Sequence, residues 1–145
     1  MNDEQKVVIS IYQNCKTALQ SIADLIKKTD DKEFIDLLNA QYSRYDDFCQ
    51  KVEDYAKVNN IDLKDNSWFE KARLWTSIQM STFTNDSTRH LAELMLMGTV
   101  MGTLTCYKTK ADRENASDET IELLNELEKM EEKNFDELKK YLKNS

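Results

Sequence analysis

The segment HLAELMLMGTVMGTLTC, residues 90–106, is the part of the chain that decides the fold class. It contains the only histidine and both glycines of the protein, and the chain has no proline at all. Hairpin turns and sheet edges depend on glycine and proline, whereas here both glycines lie inside one apolar, helix-like segment. The sequence therefore predicts an all-α fold.

The size and charge of the chain limit its class and its partners. A chain of 145 residues is the size of one domain, so we predict a single helical bundle over residues 1–145. Its 27 acidic residues outnumber the 20 basic ones, and the resulting net charge of −7 would repel a phosphate backbone. Nucleic acid is therefore not an expected partner.

The start of the chain and its cysteines indicate where the protein works. Charged residues follow Met1 closely, without the basic and then apolar pattern of a secretion signal. The longest charge-free run, residues 94–107, is too short to span a bilayer. Cys15, Cys49 and Cys106 form no CxxC pair and fall at apolar helical positions, which favours buried thiols in a reducing compartment. We therefore expect a cytoplasmic protein with no membrane partner.

Apolar residues at spacings of three and four predict five helices. Capping residues mark three of the starts, at Asp30, Ser67 and Ser117. The turn-forming residues Asn85–Ser87 predict a break between the third helix and the fourth. The five helices are expected at about Asp3–Lys28, Asp30–Ala56, Ser67–Phe83, Ser87 or Thr88 to Lys110, and Ser117–Lys143.

The lengths of the links predict how these helices are arranged. Only a few residues separate the first helix from the second and the fourth from the fifth, so each pair should fold back as an antiparallel hairpin. The link from the second helix to the fourth takes about thirty residues with its own short helix, enough to travel the length of a bundle. Two hairpins joined by one long crossover form the ferritin-like arrangement of a four-helix bundle.

Two acidic residues of the fifth helix fall on or beside its apolar face. Glu131 shares that face with Leu127, Phe135 and Leu138, and Glu128 lies one turn earlier at its edge. An isolated buried carboxylate is costly, so Glu131 is expected to be protonated, hydrogen-bonded or bound to a metal.

His90 and Glu93 form a second polar pair, one turn apart on the fourth helix. Together with Glu128 and Glu131 they could hold a single metal ion, and this mixture of imidazole and carboxylate suits Fe, Mn or Zn. The alternative is a polar layer in the core that holds no metal. The expected inward stripe of this helix is His90, Leu94, Met97, Met101 and Leu104.

The second helix lacks the ligands of a two-metal centre. Di-iron carboxylate proteins carry Glu-x-x-His on two helices, but the inward positions here read Gln41, Tyr42 and Tyr45. We assign these three residues to a polar layer in the core, where tyrosine hydroxyls donate hydrogen bonds. A conventional di-iron site with ferroxidase-type catalysis is therefore not expected, and no catalytic residue is assigned.

Gly98 and Gly102 lie one turn apart on the fourth helix. Glycine inside a helix costs about 1 kcal/mol relative to alanine, so close helix packing is the expected compensation. This helix is apolar on more than one face and should pack on a second surface as well. The candidates are the crossover helix, with Trp68 and Trp75, and a second subunit of a homodimer docked on the fourth helix or on the tryptophan surface.

The chain resembles the ferritin-like superfamily, and in particular small bacterial helix-bundle proteins that share a segment of the form HxAExxxxGxxMG. The resemblance also covers the helix layout of the whole chain and the acidic last helix. It implies a ferritin-like fold, and ferritins themselves oxidise and store iron, although the Glu-x-x-His motifs of that activity are missing here. The matching residues are His90, Ala92, Glu93, Gly98, Met101 and Gly102.

These patterns leave three functions open. The first is a cytoplasmic ferritin-like bundle with a polar, acidic layer in its core and no conventional di-iron site. The second is a protein that holds one Fe, Mn or Zn ion between the fourth and fifth helices. The third is a helical protein-interaction module.

Overall fold

A computed structural model of the chain describes residues 2–63, 87–112 and 115–143, the side chain of Asp112 excepted. In these ranges the protein consists of four α-helices and a short 3-10 turn, without any strand. The all-α prediction is thus confirmed for this part of the chain, where no helix combines the length and apolar composition needed to cross a membrane. The helices are α1 (Asp3–Ile26), α2 (Lys32–Val58), α3 (Thr88–Asp112) and α4 (Asp118–Lys139), and the 3-10 turn is Lys140–Leu142.

Side-chain caps fix where three of the helices begin. Asn2 opens α1 in a reciprocal capping box, and Ser117 caps α4 as predicted. The cap of α2 is Asp31 rather than the expected Asp30, and its Oδ1 accepts from the backbone N–H of Phe34 at 3.1 Å. Either aspartate is a suitable cap, and the burial of Phe34 favours the one three residues before it.

α2 and α4 run antiparallel. Tyr45 Oη donates to Glu131 Oε1 at 2.9 Å, and further along α2, Lys51 Nζ pairs with Glu126 Oε2 at 2.7 Å. Residue numbers therefore rise along α2 as they fall along α4.

α1 and α3 also run antiparallel. The hydroxyl oxygens of Ser10 and Thr109 lie 3.4 Å apart, and Asn14 Nδ2 donates to the Gly102 carbonyl at 3.2 Å. Because Gly102 also lies against Glu131 of α4, all four helices meet at this level of the bundle.

The first residues of the helices lie side by side in two pairs, α2 with α3 and α1 with α4. Thr88 Oγ1 donates to Asp31 Oδ2 at 3.0 Å, which places the start of α3 beside the start of α2. The backbone N–H of Ser117 donates to the Glu4 carboxylate, which places the start of α4 beside the start of α1. The chain therefore leaves α2 at one end of the bundle and enters α3 at the other.

The start of α3 agrees with the prediction. Ser87 precedes the helix, and its Oγ accepts from the backbone N–H of His90 at 3.4 Å, so α3 begins at Thr88. The rest of the predicted break, Asn85–Asp86, and the predicted helix Ser67–Phe83 with both tryptophans lie outside the described residues.

The face that α3 turns to the core differs from the predicted stripe. Met97, Met101 and Leu104 are 50%, 56% and 51% exposed, and Leu94 is the buried apolar member of that stripe. The helix is apolar almost all round, so its periodicity alone could not select a face. The residues of α3 that enter the core are Leu91, Ala92, Leu94, Met95, Leu96, Thr99, Gly102 and Cys106.

α1 and α2 bury the apolar stripes that their spacing of three and four predicts, with one exception each. These stripes are Val8, Ile11, Cys15, Ala18, Ile22 and Leu25 in α1, and Phe34, Leu38, Tyr42, Tyr45, Cys49, Val52 and Ala56 in α2. Ala18 of α1 is half-buried, and Tyr42 of α2 is 39% exposed. The three cysteines, Cys15, Cys49 and Cys106, are buried free thiols, as predicted.

Candidate functional site

A buried polar layer lies where the four helices meet, and Glu131 is its centre. The Glu131 side chain is 1% exposed, and its Oε1 accepts the hydrogen bond from Tyr45 of α2. Asn14 of α1 and Gly102 of α3 complete the layer, since the Asn14 amide donates to the Gly102 carbonyl. Each helix thus contributes one residue to this level of the bundle. We name these four residues the Glu131 layer; they are Asn14, Tyr45, Gly102 and Glu131.

Gly102 makes room for this layer. A Cβ atom at position 102 would lie 2.9 Å from Asn14 Oδ1 and 3.3 Å from Glu131 Cδ, closer than side chains tolerate without moving. Gly98 differs, because a Cβ atom there would meet no atom within 4 Å. The expected close packing therefore holds at Gly102 and is absent at Gly98, which borders the cavity beside Glu131.

The carboxyl group of Glu131 is protonated at neutral pH. Burial raises the pKa of Glu131 to about 8, and the hydrogen bond from Tyr45 opposes this only in part. Its second oxygen, Oε2, has no hydrogen-bond partner among the described residues. A buried polar atom without a partner is costly and marks this position as a candidate for ligand binding.

A cavity of about 50 Å³ adjoins Glu131. A single water needs about 10–15 Å³ of such space, so the cavity can hold a group of a few non-hydrogen atoms. In the described part of the chain its lining includes neither lysine nor arginine. Its polar lining residues are Asn14, Thr17, Ser21, Tyr45, Thr99 and Glu131.

Three of the four hydroxyl groups that line this cavity are already committed as donors. Thr17 Oγ1 donates to the Gln13 carbonyl at 2.8 Å, and Thr99 Oγ1 donates to the Met95 carbonyl at 2.9 Å. Tyr45 donates to Glu131 in the same way. The three hydroxyl oxygens therefore retain only their acceptor capacity for a ligand.

A second polar cluster lies between α2 and α4, one turn away from the Glu131 layer. Arg44 binds the Glu137 carboxylate through both terminal nitrogens, at 2.6 and 2.8 Å, and Arg44 Nη1 also donates to Asn134 Oδ1 at 2.8 Å. Gln41, fully buried, donates to the Asn134 carbonyl at 3.3 Å. The Arg44 guanidinium lowers the pKa of Glu137, so this pair is charged.

The predicted core layer of α2 is present in two of its three residues. Gln41 and Tyr45 lie four residues apart on one face and are both buried, at 0% and 1% exposure. Tyr42 was expected in the same layer but lies on the adjacent, exposed face, because one residue turns a helix by about 100°.

The four predicted metal ligands lie in three separate places. His90 and Glu93 stand 3.6 Å apart, both 40% exposed, near the start of α3. Glu128 pairs with Lys110, which lowers the pKa of Glu128, while Glu131 lies in the core. No group of three or more histidine, cysteine or acidic side chains in the described ranges has an arrangement that fits a metal ion.

The antiparallel register of α3 and α4 explains this separation. Gly102 faces Glu131, so His90 lies about 18 Å further along α3 at 1.5 Å per residue. The short link between the two helices already implies such a register, because it pairs the end of α3 with the start of α4. The geometry therefore does not support the single-ion alternative at these four residues.

Two residues of the site, the buried Asn134 and the half-buried Asn14, were not anticipated from the sequence. Asn134 lies three residues after Glu131 and four before Leu138, so it shares their stripe, but Phe135 was taken for that position. Asn14 lies three residues after the buried Ile11, at the edge of the α1 stripe. Amide side chains beside an apolar stripe were the available signal in both cases.

Comparison with protein families, curated proteins and solved structures finds no match to this chain.

Proposed function

We propose that this protein is a ferritin-like helix bundle whose Glu131 layer binds a small protonated amine, of the size of ammonium or methylammonium. The paired helix starts support the ferritin-like arrangement, because α2 and α3 begin at one end and α1 and α4 at the other. Such an order requires one long crossover between α2 and α3. Residues 59–87 supply a chain of that length.

The observation that carries the proposal is the excess of acceptors around the cavity. Glu131 Oε2 has no partner among the described residues, and the hydroxyl oxygens of Thr17, Tyr45 and Thr99 can only accept. With the Glu131 carboxyl group ionised, a ligand that satisfies these oxygens brings N–H or O–H donors. A protonated amine brings these donors and also a positive charge for the Glu131 carboxylate.

Binding of an amine is coupled to the proton on Glu131. The empty site holds a neutral carboxyl group at neutral pH, because the pKa of Glu131 is about 8. A bound cation favours the ionised carboxylate, so the proton leaves as the ligand enters. As the pH increases towards 8, the affinity for the amine should therefore increase by up to about tenfold per pH unit.

Titration calorimetry with methylammonium tests this function. We expect saturable binding to the intact protein at pH 8, weaker binding at pH 6, and the release of about one proton per ligand at pH 6 and 7, measured in two buffers of different ionisation enthalpy. The Glu131→Gln variant should lose this binding, whereas Glu132→Gln, one residue away and exposed, should retain it. Absence of binding at pH 8, or equal binding of methanol, would contradict the proposal.

A two-metal ferroxidase centre of the Glu-x-x-His kind would need two histidines beside the Glu131 layer. The chain has one histidine, and His90 lies 40% exposed near the start of α3, far from the Glu131 layer. A protein-interaction role remains a second candidate, because α3 carries large apolar side chains on its outer face.

A further inference from the structure

The outer face of α3 is the main exposed apolar surface in the described part of the chain. Five of the seven exposed large apolar side chains there belong to it, each 50–56% exposed. Their spacing of three and four residues places them on one side of the helix. We name this surface the α3 face; it consists of Met97, Val100, Met101, Leu104 and Tyr107.

The α3 face has a residue of opposite charge at each end, Glu93 and Lys108, at equal distances from its middle. Glu93 lies seven residues before Val100, and Lys108 lies seven residues after Met101. No charged residue occurs between them, from 94 to 107. Both side chains lie on the same side of the helix as the apolar residues, because they follow the same spacing.

This symmetry is what a twofold pairing of identical helices requires. If two copies of α3 lie antiparallel with the axis between Val100 and Met101, Glu93 of each copy faces Lys108 of the other. A parallel pairing would instead place Glu93 against Glu93 and Lys108 against Lys108, which is repulsive. The same antiparallel pairing sets the apolar residues of one copy against those of the other.

A groove beside the α3 face can accommodate side chains of a second helix. Beside the helix, a groove of about 560 Å³ between α3 and α4 is lined by Val100, Leu104, Tyr107 and Phe135 among others. Side chains of a second copy can enter this groove.

We infer that a second copy of this chain docks on the α3 face, in an antiparallel, twofold-symmetric pairing closed at both ends by Glu93 and Lys108. This inference goes beyond the proposed amine binding and does not depend on it, because the α3 face lies on the opposite side of the helix from Gly102 and Cys106. The protein acts as a dimer with two independent Glu131 layers.

Sedimentation equilibrium of the full chain tests the dimer. The wild-type protein should be dimeric, and Met101→Glu should raise the dissociation constant at least about 100-fold, because it buries a charge without a partner at the centre of the interface. Tyr42→Glu, at a similarly exposed aromatic residue of α2, should remain dimeric. Circular dichroism of each variant establishes that the helices are retained.

A charge exchange tests the antiparallel register. Glu93→Lys and Lys108→Glu should each weaken the dimer about tenfold, because each creates two like-charge contacts. The double variant should restore wild-type affinity. Three results would each overturn the inference. They are a wild-type protein that stays monomeric at about 0.1 mM, an ordinary concentration for a solution experiment, a dimer that Met101→Glu does not affect, and a double variant that does not restore affinity.

Discussion

Glu131 determines the properties of the interior more than any other residue. Its carboxyl group is buried, and it receives one hydrogen bond, from Tyr45, while Oε2 has none among the described residues. An apolar residue at this place would cost the fold less. A residue that lowers stability without a structural benefit is a common feature of a functional site.

The pH dependence of stability should reveal Glu131. Its pKa is about 8 in the folded protein and 4.5 as the ordinary value, so between these limits the folded state binds a proton that the unfolded state does not. Stability is therefore highest below pH 4.5 with respect to this group and falls as pH rises to about 8, by up to about 1.4 kcal/mol per pH unit.

Urea unfolding from pH 5 to 9 measures this effect. In Glu131→Gln the decline should disappear, and the variant should be more stable than wild type by several kcal/mol at pH 8, whereas Glu132→Gln should behave as wild type. The carboxyl groups of Glu4, Glu128 and Glu137 have lowered pKa values, so they act only at lower pH. A wild-type stability that is flat over this range would show that Glu131 is ionised or solvated in the folded state.

At the scale of single elements, α3 has two different faces that its sequence does not distinguish. The inner face carries the small residues Thr99, Gly102 and Cys106, which let α1 and α4 approach. The outer face carries methionine, valine and leucine. Hydrophobicity alone favours the larger residues as the core, and for this reason the predicted stripe of α3 was wrong.

The two glycines of α3 should respond to alanine in opposite directions. Gly98→Ala places a methyl group in open space inside a helix, so it should stabilise the protein by about 0.5–1 kcal/mol. Gly102→Ala places a methyl group 2.9 Å from Asn14 Oδ1, so it should disturb the Asn14 hydrogen bond and destabilise the protein by about 1–2 kcal/mol. Urea unfolding of both variants at pH 6 measures the difference, and equal effects of the two substitutions would refute the close packing assigned to Gly102 alone.

The inward faces of other helices were predictable because their apolar residues alternate with polar ones. The apolar stripe of α1, with Val8, Ile11, Cys15, Ile22 and Leu25, alternates with polar residues, and all five are buried as predicted. The serine that caps α4 was identified from the acidic residues that follow it. In α4 the buried Glu131 was also identified, because its neighbours on the stripe are leucines.

At the scale of the whole molecule, the surroundings of Glu131 could not be read from any single helix. Asn14, Tyr45, Gly102 and Glu131 come from four helices, and they meet only because the antiparallel registers bring them to one level. The sequence marks acidic residues on apolar faces, but it does not state which of them come together. His90 and Glu93 were grouped with Glu131 for this reason, although the register places His90 about half the length of α3 away from Glu131.

The whole molecule also explains why the carboxyl group can stay neutral. Four helices exclude solvent from it, and no lysine or arginine lines its cavity in the described ranges. The Tyr45 hydrogen bond favours the ionised form only in part, so the carboxyl group stays neutral until a cation arrives. The Arg44–Glu137 pair lies one turn away and satisfies its own charges. A cation that enters the cavity therefore meets one available carboxylate.

The most direct test of the account is the titration of Glu131 itself. Carbon-13 NMR of the side-chain carboxyl groups, with Glu131→Gln for assignment, measures its pKa with and without methylammonium. We predict a pKa near 8 in the free protein, where burial dominates, and a clearly lower pKa when methylammonium is present at saturating concentration. A pKa near the ordinary 4.5 in the free protein, or a pKa that methylammonium does not change, would contradict the account.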